Sequence, residues 1–178
     1  MVDINFNLTS FNSSKRRSAE KLDREWSLFA ENLREMFEEV IKGDTYRNSS
    51  IAITIAVLQS NGSLKSTLIN TVSLALLDAG IEMKEILTSA SAGYIPNFSD
   101  QPLADLSFLE ENMNRPQVVV AITANSKKIV FLETANAKLQ FNRMKDMTQL
   151  ALDSAEIVAK RFTAFLNKFY REQVLLQS

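Results

Sequence analysis

The pattern of apolar and polar residues is most informative between residues 51 and 80. Ile51–Leu58 is a largely apolar run rich in β-branched residues, which predicts a strand. Leu64–Ala79 carries apolar residues on every side over a helical length, so we expect a helix that is buried all round. Asn61 and Gly62 form a turn signal between the two, and Gly80 suits the left-handed position that ends a helix. The stretch therefore predicts a strand, a turn and a buried helix.

The turn before this helix is a candidate binding element. Backbone N–H groups at Asn61, Gly62 and Ser63 would point outward at the helix N-terminus. Anions such as phosphate are favoured at that position because the N–H groups and the helix dipole both attract negative charge. Phosphate is therefore the kind of ligand that this turn favours.

Two further elements are predicted before this stretch. Val2–Thr9 alternates apolar and polar residues with a period of two, which is typical of a strand with one buried face. Asp23 is a candidate N-cap for a helix that ends at Lys42 and Gly43. The apolar residues of this helix recur at spacings of three and four and predict a core-facing stripe of Trp26, Phe29, Leu33, Met36, Phe37, Val40 and Ile41. Its glutamates lie largely off the stripe, so a solvated face is favoured over an acidic metal site.

The second half of the chain alternates predicted strands and helices. We expect a short helical turn over Glu82–Ile86, a strand of small residues over Leu87–Ile95, a loop over Pro96–Pro102 and a turn over Asn114–Pro116. Gln117–Thr123 and Lys128–Glu133 flank Ala124–Lys127 and predict a β-hairpin. A helix is expected from Asn142 to Tyr170. Its predicted buried stripe consists of Met144, Met147, Ala151, Ser154, Ala155, Val158, Phe162, Phe165 and Phe169.

Composition narrows the classes of function. With 178 residues, 46% of them hydrophobic, the chain is long enough for one sizeable core, and its formal net charge of −1 gives no general attraction to nucleic acid. The absence of cysteine and histidine excludes disulfides, thiol nucleophiles, Cys/His zinc sites and histidine acid–base chemistry. No apolar run reaches the roughly 18 residues of a membrane span, and the N-terminus has no signal-peptide pattern. We expect a soluble intracellular protein without a membrane partner.

A basic segment near the N-terminus has two interpretations. Ser10–Leu22 shows no periodicity and is predicted to be a loop. Its basic residues, together with one just beyond it, are Lys15, Arg16, Arg17, Lys21 and Arg24. From the residues alone a solvated loop is favoured over contact with phosphate groups, and Glu20, Asp23 and Glu25 dilute the positive charge.

Several segments together resemble the RNase PH-like family. They are Phe11–Arg17, Leu58–Ser63, Ile69-Asn-Thr-Val-Ser-Leu-Ala-Leu-Leu-Asp-Ala-Gly-Ile81 and Leu103-Ala-Asp-Leu-Ser-Phe-Leu-Glu-Glu111, in the order and spacing of that family. The resemblance covers nearly the whole chain and is closest to the exosome subunit whose archaeal relative is phosphorolytic. It implies an α+β fold of the ribosomal protein S5 domain 2-like type, a mixed sheet packed with helices. Family members carry further strands before the first one here, so we expect a single domain, residues 1–178, truncated at its N-terminus relative to them.

The resemblance also implies where a catalytic site would lie. Active relatives bind inorganic phosphate with a threonine and an arginine of a glycine-rich loop, whose remnant here is Gly62, Ser63, Lys65 and Ser66, with Leu64 at the threonine position and Lys65 at the arginine position. Asp105 matches the first catalytic aspartate, whereas Glu111 stands at the second. Lysine lacks the planar fork of arginine, and leucine offers no side-chain hydrogen bond. We therefore expect Asp105 and Glu111 to be vestigial, with no catalytic residue and no metal. Their alternative interpretation is an N-capping carboxylate and a surface glutamate.

The function implied by the resemblance is that of a non-catalytic, RNA-binding structural subunit of the exosome core ring in 3′-to-5′ RNA processing and decay. Lys15, Arg16, Arg17 and Arg24 would then contact single-stranded RNA. Implied partners are the other RNase PH-like subunits of a six-membered ring and its cap proteins, in the nucleus, nucleolus and cytoplasm. Two alternatives remain: an active phosphate-dependent 3′-exoribonuclease using inorganic phosphate and Mg²⁺, and a scaffold subunit that does not touch RNA. No cofactor is expected for the non-catalytic subunit. The isolated chain is expected to self-associate.

Overall fold

A computed structural model describes residues 2–8, 19–46, 49–95, 101–111, 115–135 and 140–177. Its elements, in chain order, are β1 (Val2–Leu8), α1 (Ala19–Val40), β2 (Ile51–Val57), α2 (Leu64–Asp78), β3 (Leu87–Gly93), β4 (Leu103–Ala104), α3 (Phe108–Glu111), β5 (Gln117–Thr123), β6 (Ile129–Ala135) and α4 (Phe141–Gln177). The strand, turn and helix predicted between residues 51 and 80 are confirmed, as are the first strand and the hairpin. The fold is α+β, as predicted.

Within the described residues the strands form two sheets. β1 and β2 pair in parallel, from Val2 opposite Ile51 to Leu8 opposite Val57, and α1 provides the long crossover that a parallel pair needs. The other strands form an antiparallel sheet in the order β4-β3-β5-β6, with an irregularity between Ala121 and Ile122. β4 is too short to be seen as a period-two pattern and was not predicted from the sequence.

The larger core lies between the parallel pair, α1, α2 and one face of the antiparallel sheet. The predicted stripe of α1 faces this core: Phe29, Leu33, Met36, Phe37, Val40 and Ile41 are buried and Trp26 is half-buried. Ring contacts link the layers, since Phe29 of α1 meets Phe6 of β1 at 6.1 Å and Phe131 of β6 at 6.4 Å between centroids. Aromatic burial of this kind stabilises the contact beyond its area.

A second core lies between the opposite face of the antiparallel sheet and α4. It contains Ala92, Val118, Val120 and Ile122 of the sheet and Met147, Ala151 and Ala155 of α4. The alanines and the small residues of β3 let the helix approach closely, to the point that the Thr88 hydroxyl donates to the Ala155 carbonyl at 3.3 Å. The antiparallel sheet is thus covered by α2 on one face and by α4 on the other.

α2 is not buried all round, contrary to our expectation. Thr67, Thr71, Ala75 and Asp78 are exposed, while Leu68, Ile69, Val72 and Leu76 are buried. The sheet and α1 cover only part of the helix circumference. The exposed threonines donate to backbone carbonyls one turn earlier, Thr67 to Ser63 at 3.0 Å and Thr71 to Thr67 at 2.8 Å.

Three other predictions about helices were wrong. α1 begins at Ala19, so Asp23 lies inside the helix and is not its N-cap, because Ala19-Glu-Lys-Leu is itself a favourable helical sequence. Residues 82–86 form no helical turn. Their backbone is held against the end of α1 by hydrogen bonds from the Lys84 N–H to the Val40 carbonyl at 2.8 Å and from the Lys42 N–H to the Glu82 carbonyl at 3.1 Å.

The third correction concerns the end of α4. The helix runs to Gln177, seven residues beyond the predicted end at Tyr170. Phe165 and Phe169, which the pattern placed in the buried stripe, are 60% and 37% exposed. The periodicity continues past the point where the sheet beneath the helix ends, and the pattern alone does not reveal that point. Two of the predictions fall partly outside the described residues: residues 96–100 of the loop predicted over Pro96–Pro102, and Asn114 of the turn predicted over Asn114–Pro116. The single domain stays a prediction.

Candidate functional site

The site predicted from the sequence is built on the turn before α2. Gly62 and Ser63 both have positive φ angles, 105° and 49°. The Ser63 carbonyl accepts hydrogen bonds from the hydroxyls of Ser66 at 2.9 Å and Thr67 at 3.0 Å, which ties the turn to the first turn of the helix. The Ser63 hydroxyl points into the fold, where it lies 2.6 Å from the Ser91 hydroxyl oxygen. The side chain of Ser63 is therefore engaged by β3 and is not presented to solvent.

The segment from β4 to α3 packs directly on this turn. The Phe108 N–H donates to the Asn61 carbonyl at 2.9 Å. A Cβ atom added to Gly62 would overlap the Leu106 carbonyl oxygen and lie 2.7 Å from the carbonyl carbon of Ser107. Only glycine allows the two backbones to approach so closely. The first half of the predicted site, around Gly62, and the second half, around Asp105, are thus brought together.

Asp105 is exposed on the connection between β4 and α3. Its φ angle is 59°, and its N–H donates to the Ser91 carbonyl at 3.0 Å. The alternative interpretation of Asp105 as an N-cap is wrong, because Ser107 precedes α3 directly. The N–H and the hydroxyl of Ser107 both donate to the Glu110 carboxylate at 2.7 Å, the contact of a capping box. These two bonds lower the pKa of Glu110 from its ordinary value.

Glu111 is half-buried at the N-terminus of α2. Its carboxylate accepts a hydrogen bond of 2.7 Å from the Ser63 N–H, so it is not the surface glutamate of our alternative interpretation. Burial raises the pKa of Glu111, the Ser63 hydrogen bond partly offsets that effect, and the nearby charge of Asp105 raises the pKa further. The Glu111 carboxylate therefore already accepts from the Ser63 N–H, which is one of the donors that the sequence suggested for phosphate.

Lys65 faces a different set of partners. Its ammonium lies 2.5 Å from a carboxylate oxygen of Glu133 on β6 and 3.6 Å from Glu25 on α1. It also lies 5.5 Å from the centre of the Phe29 ring. The Lys65 side chain is only 19% exposed. Its positive charge is thus balanced by two carboxylates that no local sequence signal connects with it.

The arrangement is therefore closed to an anion in two places. A phosphate group would have to displace Glu111 from Ser63 and compete with Glu133 for Lys65. In the part of the chain that the structure describes, no group of three or more acidic side chains lies close enough together to hold a metal ion.

The predicted RNA-binding residues are only partly described. Lys15, Arg16 and Arg17 lie outside the described residues, and Arg24 is exposed on α1. None of the described helices is long and apolar enough to cross a membrane. Sequence reasoning missed Ser91 and Glu133 as partners of the turn and of Lys65, because both contacts join residues far apart in the chain.

Comparisons with known proteins agree on one family. The model of the 3′ exoribonuclease family, domain 1, matches residues 1–82, and the model of domain 2 matches residues 85–154. An exosome complex component RRP41 homolog of Arabidopsis thaliana is 31% identical over 168 residues, which cover 94% of this chain and 68% of that protein. The exosome complex component RRP41 of Homo sapiens is 29% identical over 176 residues, covering 99% and 70%.

Two further matches extend the comparison. The exosome complex component ski6 of Schizosaccharomyces pombe is 31% identical over 155 residues, and this chain spans 62% of its length. The crystal structure of rice (Oryza sativa) Rrp46 superposes with a TM-score of 0.71 at 14% identity, covering 96% of this chain and 73% of that one. At that identity the likeness concerns the fold alone.

Proposed function

Because this chain belongs to the RNase PH-like 3′ exoribonuclease family, we propose that it is a non-catalytic structural subunit of an exosome core ring. Relatives that match most of the chain are named exosome complex components. In this role the chain joins other RNase PH-like subunits and cap proteins, binds single-stranded RNA and contributes to 3′-to-5′ processing and decay in the nucleus, nucleolus and cytoplasm.

The observation that carries the non-catalytic part is the hydrogen bond between Glu111 and Ser63. Attack by phosphate on an RNA backbone brings two anions together, so catalysis requires donors and cations that are free to offset their repulsion. The Ser63 N–H already has an anionic acceptor. The carboxylates of Glu25 and Glu133 likewise offset the positive charge of Lys65, so this charge is not free to attract phosphate.

The departures at Leu64 and Lys65 support the same proposal. Leu64 begins α2 and supplies no hydrogen-bonding side chain where the family has a threonine. A lysine can supply charge there but not the two parallel hydrogen bonds of an arginine.

An assay of the assembled complex tests this function. The chain is co-expressed with RNase PH-like partner subunits, and a 3′-labelled RNA is incubated with the purified complex with and without inorganic phosphate. We expect co-purification and no phosphate-dependent release of nucleoside diphosphates by this chain. Failure to co-purify would contradict the structural role, and phosphate-dependent release that Asp105→Asn abolishes would contradict the non-catalytic one.

One observation favours the alternative of an active phosphorolytic exoribonuclease. Burial and the nearby charge of Asp105 raise the pKa of Glu111, and a carboxyl group with a raised pKa is a candidate general acid. In this alternative Asp105 serves in acid–base chemistry or as a Mg²⁺ ligand, and Lys65 binds phosphate after release from Glu133. The assay above separates the two functions.

The RNA-binding part of the proposal rests on Lys15, Arg16, Arg17 and Arg24. Replacing all four with glutamine should weaken RNA binding by the ring about equally for every sequence. The slope of log affinity against log salt should fall by about 0.7 for each lost phosphate contact. An unchanged affinity and slope would show that these four residues do not contact RNA.

A further inference from the structure

The second half of α4 extends beyond the sheet that supports the helix. Met147, Ala151 and Ala155 are fully buried, and Ala159 is the last buried residue of α4 up to Glu172, where the described side chains end. From Ala159 to Phe169 the helix rises about 15 Å further at 1.5 Å per residue. Along this part Phe165, Phe169 and Tyr170 are exposed, the last by 49%. The helix thus presents a row of aromatic side chains to solvent.

These aromatic side chains form an ordered surface. The Phe165 and Phe169 rings stack with centroids 6.0 Å apart and planes 19° from parallel. Tyr170 meets Phe169 edge-on at 5.8 Å. Phe165 and Phe169 are four residues apart, so they lie one turn apart on one side of the helix. Two nearly parallel ring faces on a rigid element form a platform on which flat groups can stack.

Positive charge lies along the same part of α4. Four exposed basic residues, Lys160, Arg161, Lys168 and Arg171, lie in this part of α4. Glu172 is the one acidic residue among residues 157–172, and it lies 3.9 Å from Lys168 in a solvent-exposed pair. Such pairs hold little energy, so Glu172 does not prevent Lys168 from contacting another anion. A locally positive surface therefore stands out in a chain whose net charge is −1.

The spacing places cations beside the ring faces. Arg161 precedes Phe165 by four residues and Lys168 follows it by three, and residues at these spacings are neighbours on a helix surface. Alternating cations and stacking rings match the alternating phosphates and bases of a single strand. A duplex would present phosphates but no exposed base faces, and an apolar protein surface would not use the charges of Arg161 and Lys168.

We propose that this part of α4, residues 160–171, is a second RNA-binding surface, on which unpaired bases stack against Phe165 and Phe169 while Arg161 and Lys168, on the same side of the helix, contact the phosphates. The choice of RNA as the polyanion rests on the proposed function. The surface itself is independent of the N-terminal basic segment and of the closed site around Ser63. Because it requires base faces and charge together, it is selective for single strands and indifferent to sequence.

Fluorescence anisotropy of a labelled 20-nucleotide single-stranded RNA with the full chain tests this surface. Phe165→Ala/Phe169→Ala should weaken binding by about tenfold or more. Arg161→Gln/Lys168→Gln should lower the salt slope by about 1.4, since each lost phosphate contact removes about 0.7. The matched controls are Phe141→Ala and Lys145→Gln, which remove an exposed ring and an exposed cation from the other end of α4 and should leave both quantities unchanged.

A gain-of-signal variant guards against effects on folding. Phe165→Trp keeps a stacking ring, so it should retain RNA binding, and its emission should be quenched by RNA more than that of the natural chain, which contains only Trp26. Unchanged affinity in the double alanine variant, or no additional quenching in Phe165→Trp, would overturn the proposal. Equal competition by a duplex of the same length would overturn the stacking. If the double alanine variant changes the molecular mass of the chain in solution and leaves its RNA affinity unchanged, the surface binds protein and the proposal is wrong.

The experiment is separable from the test of the ring function. Anisotropy uses the chain alone, whereas the ring function is tested by co-purification with other subunits. A chain that fails to join a ring but loses RNA affinity in Phe165→Ala/Phe169→Ala supports this inference and contradicts the proposed function. A chain that joins a ring but binds RNA equally in every variant supports the proposed role in the ring and contradicts this inference.

Discussion

The carboxylate of Glu111 accepts a 2.7 Å hydrogen bond from the backbone N–H of Ser63, 48 positions earlier in the chain. The N–H group belongs to the N-terminus of α2, where the helix dipole favours negative charge. Burial acts in the opposite direction and is the larger effect, because the pKa of Glu111 is raised. The carboxylate of Glu111 thus fills an anion position, and Glu111 holds its proton more tightly in the folded protein than in the unfolded chain.

Glu111→Gln should gain stability relative to the natural chain as pH rises. A raised native pKa means that the folded protein holds the Glu111 proton more tightly than the unfolded chain does. The natural chain therefore loses stability as pH increases from 4.5, the ordinary value, to the raised native value. Glutamine does not titrate, yet it keeps an oxygen that can accept from Ser63. Urea unfolding of both proteins across this range measures the difference.

Glu110→Gln is the matched control, with the opposite sign. The bonds from Ser107 lower the pKa of Glu110, so its ionised form stabilises the native state once pH exceeds the lowered value. Glu110→Gln lacks this gain and should lose relative stability as pH rises toward 4.5. Stability differences that do not vary with pH in either variant would contradict our account of both carboxylates.

Gly62→Ala should destabilise the fold by about 2 kcal/mol or more, because alanine is strained at a φ of 105° and its Cβ would overlap the Leu106 carbonyl. Gly43→Ala is the control, since no atom lies within 4 Å of a Cβ added there. Its effect should stay within about 0.5 kcal/mol. Chemical denaturation measures both changes. Equal stability of the two variants would show that the turn does not need the close approach of residues 106–108.

The sequence predicted those elements whose signal is local. The strands predicted at residues 2–8 and 51–57 and the β-hairpin are confirmed, because each of these strands pairs with a neighbouring strand. The stripe of α1 is confirmed because one core lies along its whole length. The resemblance to the RNase PH-like family also implied that the turn at Gly62 and the segment around Asp105 belong to one site.

The predictions that failed concern features that are set by other parts of the fold, such as the point where a neighbouring element ends. The stripe of α4 gave no sign that the sheet stops near Ala159, so Phe165 was wrongly predicted to be buried. Residues 82–86 are held by hydrogen bonds to the backbone of Val40 and Lys42, which outweigh their local preference for a helical turn. The pairing of Lys65 with Glu133 joins residues 68 positions apart. No pattern within a short stretch of sequence can specify such contacts.

Lys65→Met should destabilise the protein by about 1–3 kcal/mol. The variant leaves Glu133 without its charged partner, and one oxygen of that carboxylate is already buried without a hydrogen bond. Lys65→Met/Glu133→Gln should recover part of the loss, because it removes the unpaired charge. A double-mutant cycle in urea measures the coupling. Lys42→Met, which breaks an exposed pair with Glu82 at 3.4 Å, should cost less than about 1 kcal/mol. Additive effects of Lys65→Met and Glu133→Gln would contradict the pairing.

The purified chain should self-associate at micromolar concentration through the free edge of β6. Within the described residues β6 pairs with β5 alone, and Ile129 and Leu132 on it are 50% and 43% exposed. An unpaired edge with apolar side chains can pair with a second strand, whereas lysines on an edge oppose such pairing. Ile129→Lys/Leu132→Lys should therefore raise the dissociation constant by about tenfold or more, roughly 1.4 kcal/mol. Leu28→Lys, at an exposed position on α1, is the control and should change nothing. Sedimentation equilibrium gives the mass, and a natural chain that sediments as a single 20.0 kDa species would show that β6 does not drive association.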